Sequence, residues 1–393
     1  MRNDKRDTCH ILTTKGELAV KRTILRPKDK ASMDRLLAIE NVRSIAPLDK
    51  VLKIDDLPFK MTRGMMCEVA FWGQNQSSYK SASEVLKKVH DVDISSNMVK
   101  DVTDYVGKIV FDEDIRKANN AYEGLLKMMY KKSKKGVLYI ETDGATLNTR
   151  TKNADGSTWR ENKLGMCFTS DNIKIGINKK GESTSKILKK EYTSYVGTAQ
   201  EFKKHLFACA IRNGYGEYEE TVILSDGATW IRKIGEELFP DAVQILDLFH
   251  LSENTYSYAK AIFKNDESKY KPWADDIIKK LKNGEKLDVI QILKKMKNRK
   301  IPKGTVNLYT YLLNNIDKID YNLYEEKGYY VGSGAIESGN KVVLQKRMKL
   351  AGMRWNELFA QYLLSLRAKY ESGLWKKEVI HIILKHDFKQ KNL

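Results

Sequence analysis

The stretch "VLYIETDGAT" (Val137–Thr146) shares a tetrapeptide with the later stretch "VILSDGATWI" (Val222–Ile231). In both, Asp-Gly-Ala-Thr follows directly on a short apolar run. Such a run, bounded by turn residues, is typical of a buried β-strand. Asp143 and Asp226 are therefore predicted to stand at the ends of two strands, where ligands bind in open α/β sheets. The residues after the two tetrapeptides share nothing, so an internal duplication is not indicated.

The sequence around these two runs predicts a mixed α/β domain. Strand-forming stretches are VLYIE, KLGMCF (Lys163–Phe168), IKIGI (Ile173–Ile177), a further candidate YTSYVG, then TVILS and AVQIL. Helices are predicted at AQEFKKHLFACAIRNG and TWIRKIGEELF, before and after TVILS. The order β-β-β-α-β-α-β matches a ribonuclease-H-like mixed sheet flanked by helices, with an antiparallel meander followed by parallel crossovers. Its first and fourth strands are neighbours, so Asp143 and Asp226 are expected to converge.

The composition favours a polyanionic partner and argues against a membrane protein. The 393 residues include 70 Lys and Arg against 51 Asp and Glu, a formal net charge of +19. Such an excess suits nucleic acid, although a merely basic globular protein is the alternative. No run approaches the roughly 18 apolar residues of a membrane span, and the start "MRNDKRDTCH" lacks a signal-peptide core. We expect a cytoplasmic protein with no membrane partner. Its scattered cysteines indicate neither a zinc site nor a disulfide framework.

The first 134 residues are predicted to form two segments ahead of that domain. In residues 1–60, "TCHILTT" and "ELAVKRTIL" flank Lys15-Gly16 and predict a β-hairpin. Residues 61–134 are predicted to be helical, with Ser95 or Ser96 capping one helix. The apolar faces predicted there are Val85, Leu86 and Val89 on one helix, and Met98, Val99, Val102 and Val106 on the next. Two helices across a tight turn match a DNA-binding helix-turn-helix or an ordinary helical hairpin.

Converging carboxylates at strand ends predict a metal site. Asp143 and Asp226 would repel each other unless protonated or bound to cations, and oxygen ligands suit Mg²⁺ or Mn²⁺. Two such ions bridging a phosphate activate the attacking oxygen and stabilise the leaving one. The alternative is that Asp-Gly is simply turn chemistry.

The segment "YYVGSGAIESGNKVVLQKRMKLAGMRWNE" offers a third acid. Its apolar residues Ile336, Val343 and Leu350 predict a helix face against the sheet, and Glu337 stands beside them in the first turn. Glu337 would complete a metal-binding trio, and Lys341 one turn on is available to phosphate. The alternative is a glutamate favoured by the helix dipole. A cationic run suited to a DNA backbone follows, with Lys346, Arg347, Lys349 and Arg354.

The stretch "DLFHLSENTYSYAK" places Asp247 and His250 at i, i+3 after the fifth predicted strand. Both side chains can share one face where a helix begins, near the catalytic crevice. His250 is predicted to contact a phosphate or orient a base, while a satisfied, partly buried histidine is the alternative.

The motifs "ETDGA", "LSDGATWI", "LDLFH" and "GSGAIESGNKVVLQKRMKLAGMRW" resemble the DDE transposases of bacterial insertion sequences. The resemblance is to the ISKra-like and ISLre-like groups, distantly related to Mutator-like enzymes, and it covers about residues 137–375. It implies that Asp143, Asp226 and Glu337 form the catalytic D, D, E set and bind two Mg²⁺ or Mn²⁺ ions. "LDLFH" resembles the family's Asp-x-x-His signature, which implies a supporting role near DNA for Asp247 and His250.

The resemblance also implies an organisation and partners. Residues 135–250 and 331–393 would form the ribonuclease-H-like catalytic domain with C-terminal helices, and residues 251–330 an all-α insertion. The expected partners are double-stranded DNA, as the element's terminal inverted repeats and the target, and further copies of the chain in a homo-oligomer on DNA. A bacterial, nucleoid-associated location follows. Relatives are often longer at the N-terminus, so a truncated copy or a missed upstream start is expected.

Three functions agree with these features. The first is a transposase that cleaves its element's ends by water attack and joins the freed 3′-hydroxyl to target DNA. The second is a non-catalytic or co-opted DNA-binding protein derived from a transposase. The third is a ribonuclease-H-type nuclease, which shares the site chemistry and needs no strand joining.

Overall fold

The computed structural model describes residues 1–54, 56–124, 131–177, 183–332 and 334–388. The chain divides into two compact units, one of Met1–Glu113 with Leu358–Leu393 and one of Asp114–Glu357. The sequence predicts that residues 331–393 belong to the catalytic domain, but residues from Leu358 onward group with the N-terminal residues instead.

The first unit opens with the predicted hairpin. Strands β1 (Arg2–Thr13) and β2 (Gly16–Arg26) pair in antiparallel fashion up to Thr13 and Gly16, which confirms the hairpin around Lys15-Gly16. Gly16 has φ +106°, a conformation that only glycine adopts readily. Two short helices follow, α1 (Lys30–Glu40) and α2 (Pro47–Leu52).

Three longer helices follow, α3 (Arg63–Asn75), α4 (Tyr79–His90) and α5 (Ser96–Gly124). The predicted cap is confirmed, because the Oγ of Ser95 accepts a hydrogen bond from the backbone N–H of Met98 at 3.2 Å. The predicted face of α4 is wrong in one residue. Val89 is 57% exposed, while Ala82 and Leu86 are buried. Helix α5 has 29 residues, so the second helix of the pair is long. The helix-turn-helix function stays a prediction.

The C-terminal helices join this unit through its core. They are α15 (Glu357–Glu371), a π-helical turn (Trp375–Ile380) and α16 (His381–Lys385). Their residues Leu366, Val379 and Ile383 are fully buried with residues of α3, α4 and α5. The buried Arg367 also donates to the backbone carbonyl of Gln74 at 2.9 Å. Apolar burial of this kind supplies most of the free energy that holds helices together.

The second unit contains a five-stranded mixed sheet. Its elements are β3 (Lys134–Asn148), β4 (Trp159–Thr169), β5 (Ile173–Ile177), β6 (Ser183–Ile187), β7 (Glu191–Val196), α6 (Ala199–Arg212), β8 (Tyr218–Ser225), α7 (Thr229–Leu238) and β9 (Val243–Leu246). The sheet order is β7-β4-β3-β8-β9. Pairing is antiparallel between β3 and β4 and between β4 and β7, and parallel from β3 through β8 to β9. The predicted meander followed by parallel crossovers is therefore present.

One predicted strand lies outside this sheet. Strand β5 pairs with β6 in a separate two-stranded ribbon, and Ile175 and Ile177 are 74% and 79% exposed. A run without a buried face gains little by joining the core sheet. The third strand of the meander is β7, the stretch "YTSYVG". Helices α6 and α7 cover the sheet through a core that includes Phe202 and Ile234.

Helices occupy the region of the predicted all-α insertion. They are α8 (Leu248–Ile262), α9 (Glu267–Lys282), α10 (Lys286–Lys294), α11 (Leu308–Leu313) and α12 (Tyr321–Glu326). Three continuous helical segments follow, α13 (Gly334–Gly339), a π-helical turn (Asn340–Gln345) and α14 (Lys346–Met348). Helix α13 packs against β3 and β4. A Cβ at Gly339 would lie 2.7 Å from the ring of Tyr192, so only glycine permits this approach.

Candidate active site

Asp143 and Asp226 lie at the same level on neighbouring strands. The last residues that pair between β3 and β8 are Glu141 and Leu224, and each Asp follows its paired residue by two positions. The prediction that the Asp ends its strand is correct for Asp226, which follows β8 and precedes Gly227 with φ +88°. It is wrong for Asp143, because β3 continues to Asn148 through its pairing with β4.

The carboxylate of Asp143 is held by two donors. Its Oδ1 accepts from the backbone N–H of Gly144 at 2.7 Å, and its Oδ2 accepts from Nδ2 of the buried Asn340 at 2.7 Å. Burial raises the pKa of Asp143, and the charge of Asp226 adds to that increase. The two hydrogen bonds and His250 lower the pKa in part. The site therefore orients Asp143 while it disfavours its ionisation.

Asp247 and His250 form a hydrogen-bonded pair at the start of α8. Asp247 is fully buried and caps the helix, accepting from the backbone N–H of Phe249 at 3.2 Å and of His250 at 2.7 Å. Its Oδ2 also lies 2.8 Å from Nδ1 of His250. This hydrogen bond, with the charges of Asp247, Glu337 and Asp226, raises the pKa of His250 to about 9. His250 is therefore an imidazolium at neutral pH.

Glu337 lies beside this pair. Its Oε1 is 3.6 Å from Nδ1 of His250, and one ligand atom from each of Asp247, His250 and Glu337 lies within 4.8 Å of the others. Across the described ranges, no other three potential metal-ligating side chains come as close. Glu337 therefore has a ligand atom within 4.8 Å of ligand atoms of Asp247 and His250. The predicted trio of Asp143, Asp226 and Glu337 does not form such a group. The charges of these residues still interact. Asp226 and Glu337 raise the pKa of His250, and Asp226 also raises that of Asp143.

A further carboxyl group, Glu141, was missed by the sequence analysis. Glu141 is fully buried on the same face of β3 as Asp143, because alternate strand residues point the same way. Burial raises its pKa well above the ordinary value, and the charges of Glu337 and Asp247 raise it further. The backbone N–H of Ile336 and the charge of Lys190 only partly oppose this increase. The signal that could have identified it is the spacing in "YIETDG", where Glu141 stands two residues before Asp143 on the same strand.

Tyrosine side chains from the helical region complete the surroundings. The hydroxyl of Tyr311 donates to the backbone carbonyl of Asp226 at 2.8 Å, and that of Tyr321 donates to the carbonyl of Leu246 at 2.7 Å. Burial raises the pKa of Tyr330, and the charge of Glu141 adds to it. Tyr311 and Asp226 are 85 residues apart, so no local pattern could have linked them.

The donor set suits a divalent cation. Carboxylate oxygens are the ligands that Mg²⁺ and Mn²⁺ prefer. The residues present therefore fit a metal ion.

A protein-family model matches residues 40–382, and its description is Uncharacterised protein family (UPF0236). The chain belongs to the UPF0236 family. A search of curated proteins gives no significant match. Among solved structures, the chain is similar to the Drosophila P element transposase strand transfer complex, with a TM-score of 0.35 and 10% identity over 87% of this chain and 96% of that one. At that score the two folds are not shown to be the same.

In this UPF0236 protein the predicted DNA-contacting residues fall into two groups. Those that are exposed are Lys341, Lys346, Lys349 and Arg354. Arg347 is only 2% exposed, and its guanidinium lies 5.3 Å from the ring centroid of Trp355, so it does not face a phosphate. Asp247 is likewise buried, and its Oδ2 lies 2.8 Å from Nδ1 of His250. Within the described residues, no helix combines the length and apolar character needed to cross a bilayer.

Proposed function

We propose that this protein is a DDE transposase that cleaves DNA and transfers the cut strand of an insertion-sequence element. The observation that carries the proposal is the equal offset of Asp143 and Asp226 beyond the last pair of β3 and β8. Glu337 reaches the same neighbourhood from α13, which packs against β3 and β4. Two carboxylates on adjacent strands and a third from a covering helix are the arrangement that two-metal phosphoryl transfer needs.

The sheet also supports a ribonuclease-H-like catalytic core. In the order β7-β4-β3-β8-β9, pairing is antiparallel on one side of β3 and parallel on the other, and the strands that carry Asp143 and Asp226 are neighbours, as expected from sequence. The catalytic region would run over residues 135–250 and continue from residue 331, with residues 251–330 as its insertion. Membership of the ISKra-like and ISLre-like, Mutator-related groups is part of this proposal and rests on the sequence motifs.

Asp143, Asp226 and Glu337 would hold two Mg²⁺ or Mn²⁺ ions, which supply Lewis acidity at the reacting phosphate when bound. Asn340 and the N–H of Gly144 fix the orientation of Asp143. Asp247 holds Nδ1 of His250, which leaves the Nε2 proton for a phosphate oxygen. The imidazolium also offsets part of the repulsion among the neighbouring carboxylates.

Both reaction steps are in-line displacements at phosphorus. In cleavage, a water oxygen bonds to phosphorus while the bond to the 3′ oxygen breaks, and that oxygen takes up a proton. In transfer, the new 3′-hydroxyl attacks a target phosphodiester and loses its proton as the target's own 3′ oxygen leaves. The substrates would be the element's terminal inverted repeats and target DNA, with a nucleoid-associated homo-oligomer as the active form.

The test uses the full chain, duplexes taken from the DNA that flanks the gene, and Mg²⁺, Mn²⁺ or EDTA. We expect metal-dependent nicking by the wild type, and a loss on the order of 10³-fold or more in Asp143→Asn, Asp226→Asn and Glu337→Gln, with DNA binding retained. Asp155→Asn, an exposed residue in the turn between β3 and β4, is the matched control and should cleave normally.

A pre-cleaved duplex with a free 3′ end separates the candidate functions. A joined product supports the transposase, whereas cleavage without joining supports a nuclease of ribonuclease-H type. Binding without metal-dependent cleavage by the wild type supports the non-catalytic DNA-binding protein. Full cleavage by any one of the three variants removes that residue from the proposed set.

A further inference from the structure

A small pocket with an exposed tryptophan lies beyond the acidic cluster, at the far end of the β3–β4 pair. Its volume is about 260 Å³. The lining residues that matter here are Asn148, Trp159, Met348, Lys349, Met353 and Arg354. Asn148 and Trp159 are paired residues that close the β3–β4 ladder, and the others belong to α14 and the loop after it. The pocket is smaller than the roughly 300 Å³ typical of drug-sized ligands, so it suits one planar ring system.

The walls of this pocket are fixed by the fold. The backbone N–H of Trp355 donates to the carbonyl of Asn148 at 3.0 Å, and its indole N–H donates to the carbonyl of Met348 at 3.0 Å. The N–H of Arg150 returns a bond to the carbonyl of Trp355 at 2.8 Å. These contacts hold Trp355, at the end of the loop, to Asn148 and Arg150 and join it to Met348 at the start of the loop, so the pocket is formed before any ligand enters.

The pocket offers three kinds of recognition. Trp159 is 49% exposed and can therefore stack against a planar ligand. Asn148 contributes a side-chain amide to the lining of the pocket. Lys349 and Arg354 are exposed at the rim. The Nζ of Lys349 lies 6.0 Å from the Trp159 ring centroid, at the outer limit of a cation–π contact.

We propose that this pocket binds one unpaired nucleobase, stacked on Trp159, with its flanking phosphates against Lys349 and Arg354. An aromatic platform beside cations is how proteins hold single-stranded nucleic acid, and an amide edge adds hydrogen bonds to a base. A fully paired duplex keeps its bases stacked on each other and cannot use the platform. That the ligand is DNA rests on the proposed function, whereas the base-binding chemistry rests on the pocket alone.

The position of the pocket predicts where that base lies in a substrate. From Asp143 to Asn148 the strand β3 runs five residues, about 17 Å at 3.4 Å per residue. The captured base is therefore about 17 Å from a phosphate held at Asp143.

The test measures binding in EDTA, where no cleavage occurs. The probes are a duplex with a short single-stranded tail that carries 2-aminopurine, and the same sequence fully paired. We expect the wild type to prefer the tailed duplex and to quench the 2-aminopurine by stacking. Trp159→Ala should weaken binding of the tailed duplex by roughly 5- to 150-fold, with the paired duplex unchanged. Trp159→Phe keeps an aromatic ring and should retain most of the preference.

Equal binding of both probes by wild type and Trp159→Ala, with melting temperatures unchanged, overturns the inference. A loss of equal size for both probes also overturns it, because a base site discriminates between them. Asp143→Asn tests the proposed function separately and should keep full quenching. A wild type that quenches the probe and never cleaves DNA keeps the base site and removes the transposase, whereas cleavage without Trp159-dependent binding does the reverse.

Discussion

Nδ1 of His250 lies 2.8 Å from Oδ2 of the buried Asp247, which also caps the helix that carries His250. The carboxylate of Asp247 therefore caps the N-terminus of α8 and also holds the imidazole of His250 in a fixed orientation. The pKa of His250 is raised to about 9, first by this hydrogen bond and then by neighbouring acids. The pair places the end of β9 close to Glu337, because Nδ1 of His250 is also 3.6 Å from Oε1 of Glu337.

The free energy of unfolding should fall as the pH rises from 6.5 to 9, because His250 loses its proton over this range. Its pKa is higher in the folded than in the unfolded chain, so its contribution is complete below about 6.5 and is lost as pH rises through about 9. A shift of that size corresponds to roughly 3 kcal/mol. Urea unfolding in EDTA at pH 6, 7.5 and 9.5 measures it.

Asp247→Asn is the matched variant for this prediction. Asparagine still caps a helix but carries no charge, so the variant should lose most of the pH dependence while α8 still forms. Asp247→Ala removes the cap as well and should cost about 1 kcal/mol more. A wild-type stability that is flat over this range, or an unchanged slope in Asp247→Asn, contradicts the assignment.

Glu141 should destabilise the metal-free protein at neutral pH. Its pKa is raised well above the ordinary value by burial, so the folded chain keeps a proton that the unfolded chain loses as pH rises above about 4.5. Glu141→Gln, which is neutral at every pH, should therefore stabilise the protein, by roughly 0.5–3 kcal/mol at pH 7.5 and by less at pH 5. Denaturant unfolding at the two pH values gives the comparison. Glu219→Gln, at an exposed position near the start of β8, should show no such pH-dependent gain.

Asn340 should affect catalysis through Asp143. Its amide donates to Oδ2 of Asp143 at 2.7 Å, and this bond lowers the pKa of Asp143. Asn340→Ala should reduce the cleavage rate about 10- to 100-fold, as for other residues that orient metal ligands. The acid limb of the pH–rate profile should also move to higher pH, which a purely structural defect does not cause. Gln345→Ala, an exposed change on the same helical segment, should leave rate and profile unaltered.

The parts of this structure that sequence predicted are those with local signals. The strands carrying Asp143 and Asp226 are apolar runs with turn residues, and the cap at Ser95 is a side-chain effect on its own helix. The Ile173–Ile177 run has the right composition, but composition does not choose a partner strand. The contact of Tyr311 with Asp226 depends on how the helical segment folds back, which no short pattern encodes.

The cationic residues after Glu337 should differ in role. We expect Lys349 and Arg354 to contact DNA and Arg347 to stabilise the fold. Lys349 and Arg354 are exposed, so Lys349→Ala and Arg354→Ala should each weaken DNA binding and reduce the slope of log affinity against log salt by about 1. Arg347 is buried beside Trp355, so Arg347→Ala should lower the free energy of unfolding by roughly 1–3 kcal/mol and leave the salt slope unchanged. Fluorescence anisotropy at several salt concentrations, with urea unfolding of each variant, measures both effects. A reduced salt slope in folded Arg347→Ala would show that its guanidinium leaves Trp355 to bind phosphate.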